Sequence, residues 1–104
     1  MSNKKRETPA ARKGQILLAA VELAKEVGYN KMTRDDIAIK AGVSMGLVTH
    51  YFETMIQLRR DVMRYARNND IPEIIAQGIA NQDKHAKKAP EALKQKAIEL
   101  LVNS

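Results

Sequence analysis

The sequence predicts an all-α protein, and three observations carry that expectation. Apolar residues recur at helical spacing, as at Ile16, Leu17, Ala20, Leu23, Ala24 and Val27. Side chains suited to capping a helix start, Thr8, Thr33 and Ser44, stand just before such stretches, and Gly28 and Gly42 stand just after them. Alternating apolar–polar runs of the kind that build strands are nearly absent.

Thr8-Pro9 starts the first helix, with Pro where its missing N–H is not needed, and Gly28 ends it after about five turns. Thr33-Arg34-Asp35-Asp36 has the spacing of a capping box. It opens a short second helix that buries Ile37, Ala38 and Ala41 and stops at Gly42. Ser44 caps a third helix running to Tyr51 or Phe52. A fourth begins near Thr54 and buries Leu58, Val62, Tyr65 and Ala66, with Arg60, Arg64 and Arg67 on its solvated side. Asn68-Asn69-Asp70 breaks the pattern, and Pro72 restarts it with Ile74, Ile75 and Ile79 on one side. Asp83 to Lys88 supplies one further turn, and Ala89-Pro90 starts a last helix with Leu93, Ala97, Leu100 and Leu101 on one face.

The chain has 104 residues and a formal net charge of +6, which bounds it to one small domain and excludes a large α/β enzyme fold. It has no Cys, so disulfides, thiolate zinc sites and cysteine nucleophiles are excluded. The basic start Lys4-Lys5-Arg6 is not followed by a signal-type apolar run, and no stretch has the length of a bilayer span. We therefore expect a cytoplasmic protein without membrane contact. Residues 1–70 carry 13 basic and 8 acidic side chains, against 5 and 4 in residues 71–104. A basic first part suits a polyanionic partner, although solubility alone also accounts for it.

Residues 33–51, TRDDIAIKAGVSMGLVTHY, have the pattern of a helix-turn-helix. Small Ala38 lets the helices approach, Gly42 permits a positive φ at the turn, and Val43 fills the space between the helices. Ser44 caps the second of the pair and leaves further amides for a phosphate. Met45, Gly46, Leu47, Thr49 and His50 then face outward, where a recognition helix meets base edges.

On these residues the chain resembles the TetR-type bacterial transcriptional regulators. Their pattern, a first helix ending in Gly and then T-x-x-x-I-A-x-x-A-G-V-S-x-G-x-x-x-x-Y-F-x-x-K-x-x-L, is met by Gly28, Thr33, Ile37, Ala38, Ala41, Gly42, Val43, Ser44, Gly46, Tyr51, Phe52 and Leu58. The resemblance covers roughly residues 10–60. It implies a three-helix DNA-binding head, a fourth helix linking it to a dimerising body, and double-stranded DNA as partner. It further implies that Thr33 and Arg34 contact backbone or a base, that Met45, Gly46, Leu47 and Thr49 lie in the major groove, and that Tyr51 holds a phosphate. The chain departs from the family at Thr49, often an aromatic, and at Met55, where a phosphate-binding Lys is usual. Arg12, Lys13, Arg59 and the Lys4–Arg6 arm are candidates to replace that contact. Residues 71–104 are few beside the family's ligand-binding body, so no small-molecule effector and no large pocket are expected.

Competing readings are weak. Gly42-Val43-Ser44-Met45-Gly46 matches the nucleophile elbow G-x-S-x-G, but no strand precedes it and no large sheet fits the chain. Asp35 and Asp36 are neighbours that point apart on a helix, and first-turn acids complement the helix dipole. His50 and His85 lack metal-ligand spacing, so neither a metal, a cofactor nor a catalytic group is expected. Phe52 belongs to the three-helix core, and Tyr51 fits core or phosphate. The stripe Leu93, Ala97, Leu100 and Leu101 needs cover, and a subunit interface is favoured over an intrachain core. The organisation expected is a flexible basic arm (1–8), a helix-turn-helix domain (9–53), and a linker helix with a short dimerisation region (54–104). The function expected is that of a homodimeric repressor on a palindromic operator. The alternative is a helix-turn-helix scaffold used as a protein-interaction module, such as an antirepressor or assembly factor.

Overall fold

The computed structural model describes residues 8–103. The Lys4–Arg6 arm lies outside the described residues. Seven helices follow one another: α1 (Pro9–Val27), α2 (Arg34–Ala41), α3 (Met45–Tyr51), α4 (Met55–Asn68), α5 (Pro72–Ala80), α6 (Lys84–Lys87) and α7 (Glu91–Val102). The described residues contain no strand.

Local chemistry sets most boundaries. Thr8, Thr33, Ser44, Thr54 and Asp83 each accept a hydrogen bond from a first-turn amide, satisfying a donor the helix leaves unpaired. Thr8 is the cap of α1, as its place before Pro9 predicts. Gly28 and Gly42 have φ of 100° and 72°, a region that favours residues without a Cβ. At Gly42 the turn is closed by its own N–H on Ile39 O (3.2 Å) and by Val43 N–H on Ala38 O (3.0 Å). Asp70, at φ 56°, turns the chain from α4 into α5.

Packing divides into two connected layers. In the first, α1 packs on α2 and α4, and α2 on α3, around Ile16, Ala20, Ile37, Val48, Phe52 and Leu58. In the second, α5 packs against α7, α6 and α4. Gly78 makes that second arrangement possible: a Cβ there would lie 2.5 Å from Ala86 Cβ and 2.7 Å from Met63 Cε. A Lys96–Asp70 pair of 3.2 Å, exposed at both ends, ties α7 to the α4–α5 turn.

A half-buried hydrogen-bonded junction also joins the layers. Gln77 on α5 donates from Nε2 to Ala24 O (3.0 Å) and accepts at Oε1 from Tyr29 N–H (2.8 Å). The buried Tyr29 hydroxyl donates to Asp83 Oδ2 (2.8 Å), while Asp83 Oδ1 caps α6 through His85 N–H (2.8 Å). Burial, and then the hydrogen bond to Asp83, hold this phenol well above the usual tyrosine pKa.

The last helix corrects one expectation. Leu93 and Ala97 are buried within the chain and belong to its core, so they are not surfaces for a second subunit. An amphipathic stripe states that a face is covered and does not state by what. Leu100 and Leu101 stay exposed, beside Ile98 and Val102. Tyr65 is only half-buried, and Met63 takes the interior place beside Val62. An open, largely apolar groove of about 600 Å³ also runs between the end of α1, α5 and the end of α7, where Leu100 and Leu101 line it.

Candidate nucleic-acid interface

The surface begins with two caps and a turn. Thr33 Oγ1 accepts from Asp36 N–H (3.1 Å) to start α2, and Ser44 Oγ accepts from Leu47 N–H (3.1 Å) to start α3. The left-handed Gly42 between them sets the angle at which α3 leaves α2. Buried Val48 and Phe52 then pin α3 to the head. Because both anchors lie on one side, Ser44, Met45, Gly46, Thr49 and His50 are exposed on the other, with Leu47 and Tyr51 half-buried at the margin.

Gly46 has no steric reason to be glycine. A Cβ built there meets nothing nearer than Ser44 Oγ at 3.8 Å, and the residue is helical. Glycine in a helix costs stability relative to alanine, so an exposed one that the packing does not require suits close approach by an external partner.

Arg34 sits differently from the expectation. Its guanidinium is folded onto the far end of α3: Nη1 donates to Phe52 O (2.9 Å) and Thr49 Oγ1 (3.2 Å), and Nη2 to Glu53 O (3.1 Å). The residue that the resemblance assigns to backbone or base therefore fastens the helix that would carry the other contacts. Sequence reasoning missed this because the partners lie 15 to 19 positions away and none of the accepting atoms is charged.

The remaining candidates are scattered around this centre. Lys13 is exposed and reaches over the Phe52 ring, 5.2 Å from its centroid, while Arg12 is half-buried on the same helix. His50 and Tyr51 meet edge to face at 4.8 Å. Met55 is half-buried against the core, so no cation projects from that position. Arg60 and Arg64 lie near Asp61, at 3.8 and 3.9 Å, and Arg67 reaches His85 O at 3.5 Å. On the flank, Lys40 is paired with Glu26 at 2.7 Å. No group of three His, Cys, Asp or Glu side chains that could hold a metal ion occurs among the described residues. No helix among them is long and apolar enough to cross a membrane.

A short helix, a left-handed glycine turn and a second helix pinned on one face and bare on the other define the helix-turn-helix class of DNA-binding proteins. Residues 16–62 match the family model of bacterial regulatory proteins, tetR family. Over 54 residues it is 39% identical to the HTH-type transcriptional regulator BetI of Serratia proteamaculans (strain 568), a match covering 52% of this chain and 27% of the relative. The matched segment thus spans about a quarter of that relative's length. No solved structure matches significantly.

Proposed function

We propose that the chain is a transcriptional regulator that binds double-stranded DNA sequence-specifically through α3, as a homodimeric repressor on a palindromic operator. The bare face of α3 is the observation that carries this reading: Met45, Gly46, Thr49 and His50 are exposed on a helix anchored by fully buried Val48 and Phe52. Met45 and Leu47 lack strong hydrogen-bonding groups, so contacts to thymine methyls contribute to site choice, with Thr49 and His50 adding polar ones. The first-turn amides of α3, Ser44, Lys13, Arg12, Thr33 and Tyr51 are assigned to phosphates, which supply most of the affinity. Two copies of the head related by a two-fold axis meet successive major grooves about 34 Å apart. Exposed Leu100 and Leu101 are the proposed dimer contacts, in place of the buried Leu93 and Ala97. The groove beside Leu100 and Leu101 is open and continuous with these proposed dimer contacts, and no small-molecule effector is part of the reading.

Selection of bound duplexes from a random DNA library, followed by affinity measurement at two salt concentrations, tests the reading. A palindromic consensus whose affinity falls steeply with salt is the expected outcome. Binding without a consensus replaces the reading with an architectural role. Absence of binding at moderate salt replaces it with the protein-interaction module.

A further inference from the structure

The geometry points to Arg34 as a positioning residue that sets what Thr49 reads: clamped by Arg34, the Thr49 hydroxyl serves as a hydrogen-bond donor to a base-edge acceptor, and cytosine is rejected at the position it faces. The inference rests on the reading of α3 as the recognition helix.

Arg34 lies at the first position of α2, and its guanidinium spans the gap to the exit of α3. Both hydrogens of Nη1 are engaged, one by Phe52 O (2.9 Å) and one by Thr49 Oγ1 (3.2 Å), while Nη2 takes Glu53 O (3.1 Å). Phe52 ends α3 with φ −132° and ψ 94°, without the left-handed glycine that closes many helices, so the carbonyls of the exit need an outside donor. A cation supplies it and also offsets the negative end of the α3 dipole. A planar fork suits three acceptors in different directions, which a lysine ammonium on a flexible stem does not hold in one geometry.

The consequence falls on Thr49, an exposed side chain on the bare face. A threonine hydroxyl has one hydrogen and two lone pairs. Here one lone pair accepts from a cation, which polarises the O–H bond, making the hydroxyl a better donor and a poorer acceptor. Purine N7, guanine O6 and thymine O4 are acceptors in the major groove, whereas the polar group of cytosine there is a donor. Arg34 therefore acts on base choice without touching a base, by fixing both the rotamer and the hydrogen-bonding sense of Thr49.

Duplex selection with the wild type, Arg34→Met, Thr49→Val and the double variant tests this, with each protein assayed below its own melting temperature. In the wild type we expect one position per half-site depleted of cytosine by about 3- to 10-fold, the scale of a single hydrogen bond. Thr49→Val restores cytosine there and leaves other positions unchanged. Arg34→Met does the same at that position, and adds nothing to that preference in the Thr49→Val background. Arg34→Lys falls between. Equal weakening at every position by Arg34→Met, with full cytosine rejection retained, overturns the inference, since that is what a merely structural clamp would give. Loss of affinity without loss of base preference in Thr49→Val overturns it too, because Thr49 would then touch phosphate.

If the wild type selects no duplex, the functional reading fails, and the base-reading part of this inference fails with it. The clamp is judged separately in the free protein by NMR. A guanidinium resonance of Arg34 that moves on Thr49→Val supports it, and one that does not move overturns it.

Discussion

Two helical glycines, Gly46 in the head and Gly78 in the second layer, have opposite reasons for lacking a side chain. At Gly78 the fold demands it, because a Cβ would press on Ala86 at 2.5 Å and on Met63 at 2.7 Å. At Gly46 the nearest foreign atom is 3.8 Å away and the fold is indifferent. The first is an internal packing requirement. At the second the packing sets no requirement, which is where the proposed DNA contact would supply one. Helix propensity alone penalises both, so only the surroundings tell them apart.

Substitutions sharpen that contrast. Gly78→Val should be the most damaging, destabilising by about 3 kcal/mol, because the branched side chain has nowhere to go between α4, α5 and α6. Chemical denaturation measures it. Gly78→Ala should cost about 1–2 kcal/mol, since the Met63 methyl can swing away and the Ala86 Cβ cannot. Adding Ala86→Gly should return most of the loss, and a double variant no more stable than Gly78→Ala would break the packing account. Gly46→Ala should move the other way, stabilising the fold by about 0.5–1 kcal/mol while weakening operator binding. A stabilised Gly46→Ala protein with unchanged DNA affinity would remove the functional reason for that glycine.

The smallest effect concerns the junction between the layers. Tyr29 has a raised pKa when folded, so its contribution to stability is fully present below the ordinary tyrosine value of about 10 and is lost as pH rises above it. In Tyr29→Phe the alkaline part of the stability profile should flatten. Thermal melts across alkaline pH check this, and an unchanged slope would show that the phenol does not couple to folding.

What the sequence made legible follows the range of each interaction. Thr8, Thr33, Ser44, Thr54, Gly28 and Gly42 act on amides within a few positions of themselves, so the helices they bound were readable in advance. Most of the outward face of α3 was readable as well: Met45, Gly46, Thr49 and His50 are exposed as expected, while Leu47 is half-buried at the margin. Contacts between distant elements were not readable. Nothing near Arg34 announces that its acceptors are the carbonyls of Phe52 and Glu53. The Leu93–Ala97 face was assigned to a second subunit, when α5 of the same chain covers it. Gly78 and Ala86 carry no signal until α5 and α6 are brought together.

The Gln77 bridge has one more consequence. The Tyr29 amide proton is held by a side chain 48 positions away, on a different layer. For solvent deuterium to replace that proton, the Gln77 side chain must release it, by turning away or by α5 drawing back from the end of α1. Its exchange rate is therefore a built-in clock for the hold of Gln77 on the end of α1, legible at a single resonance. A ligand seated in the groove, whose walls include both Tyr29 and Gln77, would slow that clock.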